Sequence, residues 1–499
     1  MSKNASQQIS RRKILKLMGL GTLGVGLAAC AAPATQQPVA PTAPQAPQEE
    51  IKPTEAPAAP GQVTLDVVMD TPEYQNQHRQ IFDIFEQENP GVKINFTTHS
   101  EDGQPAYVAK VAGGYIPAME SVWASGNSFK LNKDTFKNAI DLSTIDYPYY
   151  DLFTYPLKTA WVDIYSESGP RCIDPFNGPV MTWMFHEDLL DKAGLNPIGK
   201  VKTWDDLKMW LDEGSKWAKT PDSGVQFFWD QAWLNPWFGW HLHYDTIPLA
   251  FPDGQRENQI ACWKGEKPFN AEDSPYRHTI MFYKEAYDKG WLPENFWTRG
   301  WENDMEASFA AKKSAVMLHG PWPWDKTLAI DPNAKQAGMP ATPPAAGQTQ
   351  WMQLQPDPGV DGSSMATMIR TGNETKPEYD MIKKLFIWWN SPDIVRLRAE
   401  AIGFVPAMKL DPPAELTGPQ LVNTVLEIEK PGGKWENVKW ERSISGELQM
   451  GAKRKGGSPG VFDVESGNIA KIWADVMTGK MTIQEYLDIL QKNYEASYT

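Results

Sequence analysis

Residues 63–96 carry the pattern that most restricts the fold. Val63, Leu65 and Val67 alternate in period two, Ile81, Phe82 and Phe85 fall on one face of a helical stretch, and after Asn89-Pro90-Gly91 a second alternating run follows at Val92, Ile94 and Phe96. Period two puts alternate side chains on one face of a strand, and spacings of three and four mark a helix. Strand, helix and strand with short connections form a βαβ crossover, which makes the strands parallel and lays the helix on their sheet. The chain is therefore expected to be α/β. Thr203 with Asp206, and Thr482 with Glu485, have capping-box spacing ahead of apolar-periodic runs. Ser274 with Pro275 is expected to open a helix through Ile280, Phe282, Tyr283 and Tyr287 to a terminating Gly290. Near-repeats of fixed period are absent, which removes solenoids and propellers.

The N-terminus has a different character. Lys3, Arg11, Arg12, Lys13 and Lys16 are the only charges before a short apolar run from Leu17 to Ala29, the layout of a signal peptide. A run of that length is too short for a spanning helix, which needs about 20 residues. The pair Arg11-Arg12 resembles a twin-arginine export signal, and Leu27-Ala28-Ala29-Cys30 resembles the lipobox of bacterial lipoproteins, in which Cys30 is lipidated. Residues 1–29 are thus expected to be removed, so that Gly19-Leu-Gly21-Thr-Leu-Gly24, a match to the dinucleotide-binding G-x-G-x-x-G, has no strand and helix around it to give it meaning. Residues 30–61 read as the lipidated cysteine and a Pro/Ala-rich linker, extended at about 3.1 Å per residue where it is polyproline II.

The remaining body, from about Gln62 to Thr499, is too long for one ordinary core, and two lobes are expected. Removing the five positive charges of the leader takes the formal net charge from −14 to −19. So acidic a body argues against nucleic acid and against electrostatic docking on anionic lipid. Cys172 and Cys262 then remain, and the sequence leaves open whether they pair.

The sequence holds 22 Trp, more than a core of this size usually needs. Trp229, Trp233, Trp237 and Trp240 fall close together with Asp230, Asn235 and Pro236, and Trp322 and Trp324 lie in Gly320-Pro-Trp-Pro-Trp324 after the strand-like Ala315-Val-Met-Leu318. An indole at a loop can pack its face on the C–H groups of a sugar while neighbouring amides and carboxylates bind the hydroxyls. The competing reading is that these indoles cover core edges. Ligands of parallel α/β sheets bind outside the carboxyl ends of strands, which favours the Gly-Pro-Trp-Pro-Trp segment.

These residues resemble a known family, the family 1 extracellular solute-binding proteins of ABC importers, especially the maltodextrin-binding type. Phe85-Glu-Gln-Glu-Asn-Pro-Gly-Val-Lys-Ile94 is similar to its first helix and second strand, and Phe185-His-Glu-Asp-Leu-Leu190 with Thr203-Trp-Asp-Asp-Leu207 to the segment after the first lobe crossover. Phe309-Ala-Ala-Lys-Lys-Ser-Ala-Val-Met317 leading into Gly320-Pro-Trp-Pro-Trp324 is the most specific stretch. The resemblance implies a two-lobed periplasmic-binding-protein-like fold of type II, with a hinge and an interlobe ligand crevice. It implies lobes of residues 62–175 with 360–408 and 176–359 with 409–499, crossing near 170–180, 355–362 and 405–410. It also implies an indole under the sugar at Trp322, aromatic contacts from Trp123 and Trp237 with Asn235 beside the latter, and Asp70 facing the crevice. Trp324 and Trp301 complete the expected ligand-binding set. The implied partners are a carbohydrate, an oligosaccharide by its indole count, and an ABC permease, with the membrane reached through lipid on Cys30, the chain acting as a monomer without cofactor. Asn235 stands where the maltodextrin binders have a carboxylate, and Gly126-Asn127-Ser128 replaces the charged pair expected after Trp123.

Two other classes fit parts of the sequence. A secreted carbohydrate-active hydrolase would use Glu302 or Asp304 beside Trp301 as a carboxylate pair, whose separation decides glycosidase chemistry. A surface polysaccharide-adhesion protein would keep the indoles without lobe closure. His241-Leu-His243 with Asp245 falls short of the three or four ligands of a zinc site, and no phosphate-binding G-x-x-x-x-G-K-[ST] loop occurs.

Overall fold

The structure is a computed structural model that describes residues 62–69, 74–98, 104–122, 139–153, 172–173, 175–176, 182–233, 244–320, 323–345, 347–355, 366–402, 404–416, 435, 437–442 and 468–498. The expected leader, Cys30 and the linker lie outside them. In chain order the main elements are β1 (Val63–Met69), α1 (Gln75–Glu88), β2 (Val92–Thr98), α2 (Gln104–Ala112), β3 (Met119–Val122), β4 (Thr182–His186), α3 (Glu187–Ala193), α4 (Trp204–Ala218) and β5 (Phe227–Trp229). There follow α5 (Arg256–Trp263), α6 (Arg277–Asp288), α7 (Ala307–Ala310), β6 (Ser314–His319), α8 (Trp324–Ile330), β7 (Gln336–Pro340), β8 (Trp351–Gln355), β9 (Ala366–Met368), α9 (Tyr379–Trp389), α10 (Pro392–Ile402), β10 (Val438–Arg442), α11 (Asn468–Met477) and α12 (Ile483–Tyr498).

The βαβ unit forms as its periodicity dictates. His78, Ile81, Phe82 and Phe85 make the buried stripe of α1, and Phe82 stacks on Trp389 of α9 at 4.3 Å between centroids. Gly91, at φ +95°, turns the chain into β2, where glycine's lack of a Cβ makes a positive φ cheap. β1 then pairs in parallel with β2 along its whole length, from Val63↔Val92 to Met69↔Thr98, and with β3 on its other side. The first sheet has the order β2-β1-β3-β9 and the second β5-β6-β4-β7, while β10 and β8 make a separate parallel pair.

Neither four-stranded sheet is wholly parallel, contrary to the expectation from the first crossover. β9 joins β3 antiparallel, and β4 runs against both β6 and β7. The physical reason is connectivity: β9 enters at residue 366, after the chain has built the whole second sheet, so no local crossover fixes its direction.

Capping follows the sequence in α4, where the Thr203 hydroxyl accepts from the Asp206 N–H and the Asp206 carboxylate accepts from the Thr203 N–H. It follows again at Thr482 and Glu485. At α6 the expectation fails. The N–H groups of Arg277 and His278 bond to the carbonyls of Ser274 and Pro275 in a tight turn, so the helix starts at Arg277 with Tyr276 as its cap residue. Its end is as expected, with Gly290 at φ +66° and the Trp291 N–H returning to the Ala286 carbonyl.

The core of the second sheet absorbs much of the tryptophan. Trp183, Trp204, Trp210, Trp229, Trp233, Trp263, Trp291 and Trp473 are all buried in one cluster with Tyr244, Tyr276 and Tyr283. Trp229 lies in β5 and Trp233 just beyond it, both fully buried, so for these two the core reading holds and the loop-platform reading does not. Cys172 and Cys262 are both buried, and no disulfide joins them. Among the described residues no helix is long and apolar enough to cross a membrane.

Candidate functional site

β5 and β6 are adjacent and parallel, so their carboxyl ends open on one edge of the second sheet. The first residue of β4 belongs to the same edge, since Thr182 pairs with His319 at the end of β6 and with Pro340 at the end of β7. This is where an α/β sheet offers a ligand site, because loops leave the strands there and backbone polar groups face outward.

Asp230 follows β5 directly, its N–H bonded to the Val316 carbonyl of β6. Its fully buried carboxylate receives Arg299 Nε at 3.0 Å and Nη2 at 2.7 Å, a two-pronged contact that fixes both groups in direction as well as distance. Burial pushes the Asp230 carboxyl up to about 7, even with the guanidinium pulling it down. Arg299 also lies over the Phe227 ring, 5.0 Å from its centroid.

The chain then enters a π-helical turn, Trp301–Glu306, whose start is capped by the Asp304 carboxylate accepting from the Gly300 N–H at 2.7 Å. Trp301 is half-buried, with its ring 6.2 Å from that of His319. Glu306 is 1% exposed. One of its oxygens stands 3.4 Å from His319 Nε2 and the other 2.5 Å from Lys326 Nζ. His319 Nδ1 lies 3.0 Å from the Gly320 carbonyl oxygen, and burial pushes the imidazole down to about 3, so it is neutral at ordinary pH.

At the first sheet, Glu120 of β3 is buried and paired with Arg370 at 2.9 Å, with the Tyr107 hydroxyl donating to its other oxygen. Burial raises the Glu120 carboxyl, and Arg370 opposes that rise.

Of the residues expected to bind ligand, Asp70 is next in the chain after β1, Trp123 next after β3, Asn235 and Trp237 two and four positions after Trp233, and Trp322 two after Gly320. All five lie outside the described residues. Trp301 and Trp324 are described: Trp301 keeps part of its surface open at the strand edge, whereas Trp324, at the start of α8, is 3% exposed. The ion pairs of Arg299 and Glu306 were not foreseen. Asp230 and Arg299 are 69 residues apart, and nothing local marks them as partners. Of the alternative carboxylates, Asp304 is occupied as a cap. His241 and His243 lie outside the described residues, within which no cluster of metal-ligating side chains is found.

An α/β body with two four-stranded sheets, whose central strands lead into segments rich in aromatic and polar residues, has the character of a ligand-binding receptor. The chain belongs to the bacterial extracellular solute-binding proteins, whose family pattern it matches over residues 80–411. It is 25% identical over 191 residues to the sn-glycerol-3-phosphate-binding periplasmic protein UgpB of Shigella flexneri, and 24% identical to that of Escherichia coli K12 over the same length. Those matches span 37% of this chain and 41% of the relatives. Among solved structures it is similar to the maltose-bound MalE3 of T. maritima, with a TM-score of 0.60 at 17% identity over 87% of this chain and 99% of that one. It is also similar to a Bacillus licheniformis sugar transporter protein in complex with stachyose, with a TM-score of 0.57 at 18% identity over 86% and 98%. A Thermotoga lettingae solute-binding protein bound with α-D-tagatose gives a TM-score of 0.63 at 14% identity over 87% and 98%. These likenesses establish the two-domain periplasmic-binding-protein fold for this chain.

Proposed function

We propose that this protein is an extracytoplasmic receptor, lipidated at Cys30, that binds a neutral oligosaccharide between two lobes and presents it to an ABC permease. The observation that carries the neutral character is the state of the cations at the β5 and β6 ends. Among the described residues there, Arg299 is engaged with Asp230 and Lys326 with Glu306. A phosphate ligand wants uncommitted donors of positive charge, whereas a sugar wants an aromatic face and hydrogen-bonding groups, and Trp301 offers such a face at this edge. The sugar-bound structures of similar fold support this reading, and the partial match to the sn-glycerol-3-phosphate binders keeps that ligand as the comparison to test.

Asp70 and Trp123 from the first lobe, and Asn235, Trp237, Trp322 and Trp301 from the second, are the proposed contacts. A ligand held by both sets stabilises the closed form, since only that form makes both at once. Binding without turnover is the proposed activity. The mature body is titrated calorimetrically with stachyose, maltose and sn-glycerol 3-phosphate, and the sugar samples are then analysed for shortened products. Saturable sugar binding with the sugar recovered intact supports the proposal. Binding of the phosphate alone, or turnover of the sugar, overturns it. Small-angle scattering with and without the bound sugar tests closure, a contraction being the expected result.

A further inference from the structure

One short segment, Arg299 to Glu306, reaches both strand ends at this edge. At its beginning, Arg299 holds Asp230, the residue that leaves β5, and also donates to the Ser308 hydroxyl at 3.4 Å. At its end, Glu306 contacts His319 and Lys326. Those two residues lie on either side of Gly320-Pro-Trp-Pro-Trp324, so a single carboxylate meets the chain before and after the pentapeptide that carries Trp322.

The turn between them explains how this is possible. In an α-helix, residues five apart point well away from each other. The wider π turn brings them toward one side, and Trp301 and Glu306 both meet the same partner, His319. π turns of this kind are rare and are frequent at functional sites. Glu306 is 1% exposed and Lys326 is 42% exposed along its side chain, so the ammonium reaches in from the solvent side to a buried carboxylate. Removing the partner of a buried ion pair is costly, so the Lys326 contact stabilises the placement of Glu306.

We propose that Arg299–Glu306 is a bracket that sets the position of both ligand-facing segments, with Arg299 and Glu306 as positioning residues. Arg299 fixes the chain where it leaves β5. Glu306 fixes both flanks of the segment that leaves β6. The ligand-facing role of those segments rests on the carbohydrate-receptor reading; the mechanical role of the bracket does not.

Hydrogen exchange of the mature chain without ligand tests it. In Glu306→Gln, which keeps the shape and removes the charge, amides of residues 319–327 are expected to exchange about tenfold faster or more, while residues 62–98 keep their protection. Lys326→Met, changed on an exposed side chain, gives the same local result should Glu306→Gln fold poorly. In Arg299→Lys, which keeps the charge and loses the two-pronged fork, the increase falls on residues 229–233 and spares 319–327. Unchanged exchange at 319–327 in either folded variant at Glu306 or Lys326 overturns the bracket, and so does an increase spread evenly over the second sheet. Stachyose titration of the same samples is read separately. Wild-type protein that binds no sugar refutes the receptor reading and leaves the exchange result to decide the bracket.

Discussion

Arg299 and Asp230 meet through two hydrogen bonds at the end of β5, one partner 14% exposed along its side chain and the other fully buried. Removing one member of a buried pair leaves the other uncompensated, at about 3–5 kcal/mol. Arg299→Met is expected to destabilise the protein on that scale at pH 8, measured by urea unfolding. Burial already raises the Asp230 carboxyl to about 7, and loss of the guanidinium raises it further. The variant's deficit should therefore shrink between pH 8 and pH 6, where the carboxyl takes up a proton. A deficit independent of pH would show that the charge of Asp230 is not what Arg299 offsets.

Acid should weaken the fold through its buried histidines. Burial holds His186 down to about 4 and His319 to about 3, and it lowers His78, which sits among Tyr74, Phe96 and Trp389. An unfolded histidine titrates near 6.5. Between about pH 6.5 and 4 the unfolded chain binds protons that the native chain refuses, so stability falls as pH falls, by at most about 1.4 kcal/mol per pH unit for each group. His186→Gln, neutral throughout, should flatten the pH dependence of the unfolding free energy by about one proton in that window. An unchanged slope would place the proton uptake elsewhere.

The two kinds of tryptophan should separate cleanly in mutants. Trp322→Ala is expected to weaken sugar binding by more than about 1 kcal/mol, the scale of a lost aromatic anchor, with little effect on the unfolding midpoint. Trp229→Ala should do the reverse, losing about 3–5 kcal/mol of stability as a large core deletion. Calorimetric titration and urea unfolding of both variants check this, and exchanged outcomes would reassign both indoles.

Gly214 lies within α4, where alanine normally stabilises a helix by about 1 kcal/mol. A Cβ at this position would stand 2.2 Å from Cζ of Phe228, so the ring in β5 would have to move. Gly214→Ala is expected to lower the melting temperature by several degrees, as overpacking costs about 1–3 kcal/mol. A rise in melting temperature would mean that the ring yields freely.

Local rules carried the sequence reading where the interaction was local. The βαβ unit, both capping boxes and the close of α6 at Gly290 each depend on residues a few positions apart. The reversal of β9 was not legible, because its partner β3 lies some 250 residues earlier, as the Arg370–Glu120 hydrogen bond across the same region shows. The segment around Trp229 misled for a chemical reason. Asp230 makes it look like a wet loop, yet its side chain is fully buried, and Arg299 supplies the countercharge from elsewhere in the chain. The family resemblance pointed to segments that lie largely outside the described residues, while the ion pairs of Arg299 and Glu306 became visible only in three dimensions.

The indole cluster of the second sheet also has an optical consequence. Trp183 lies 4.9 Å from Trp229 between ring centroids, Trp229 lies 5.6 Å from Tyr283, Tyr283 lies 4.7 Å from Trp233, and Trp233 lies 4.4 Å from Trp473. Rings this close, held at fixed angles in a core, behave as one coupled chromophore. The near-ultraviolet circular dichroism of the protein should be dominated by this chain of rings and vanish as packing is lost, ahead of any change in helix content. Emission excited in the indole band would then report the integrity of the second sheet far more than the occupancy of the site.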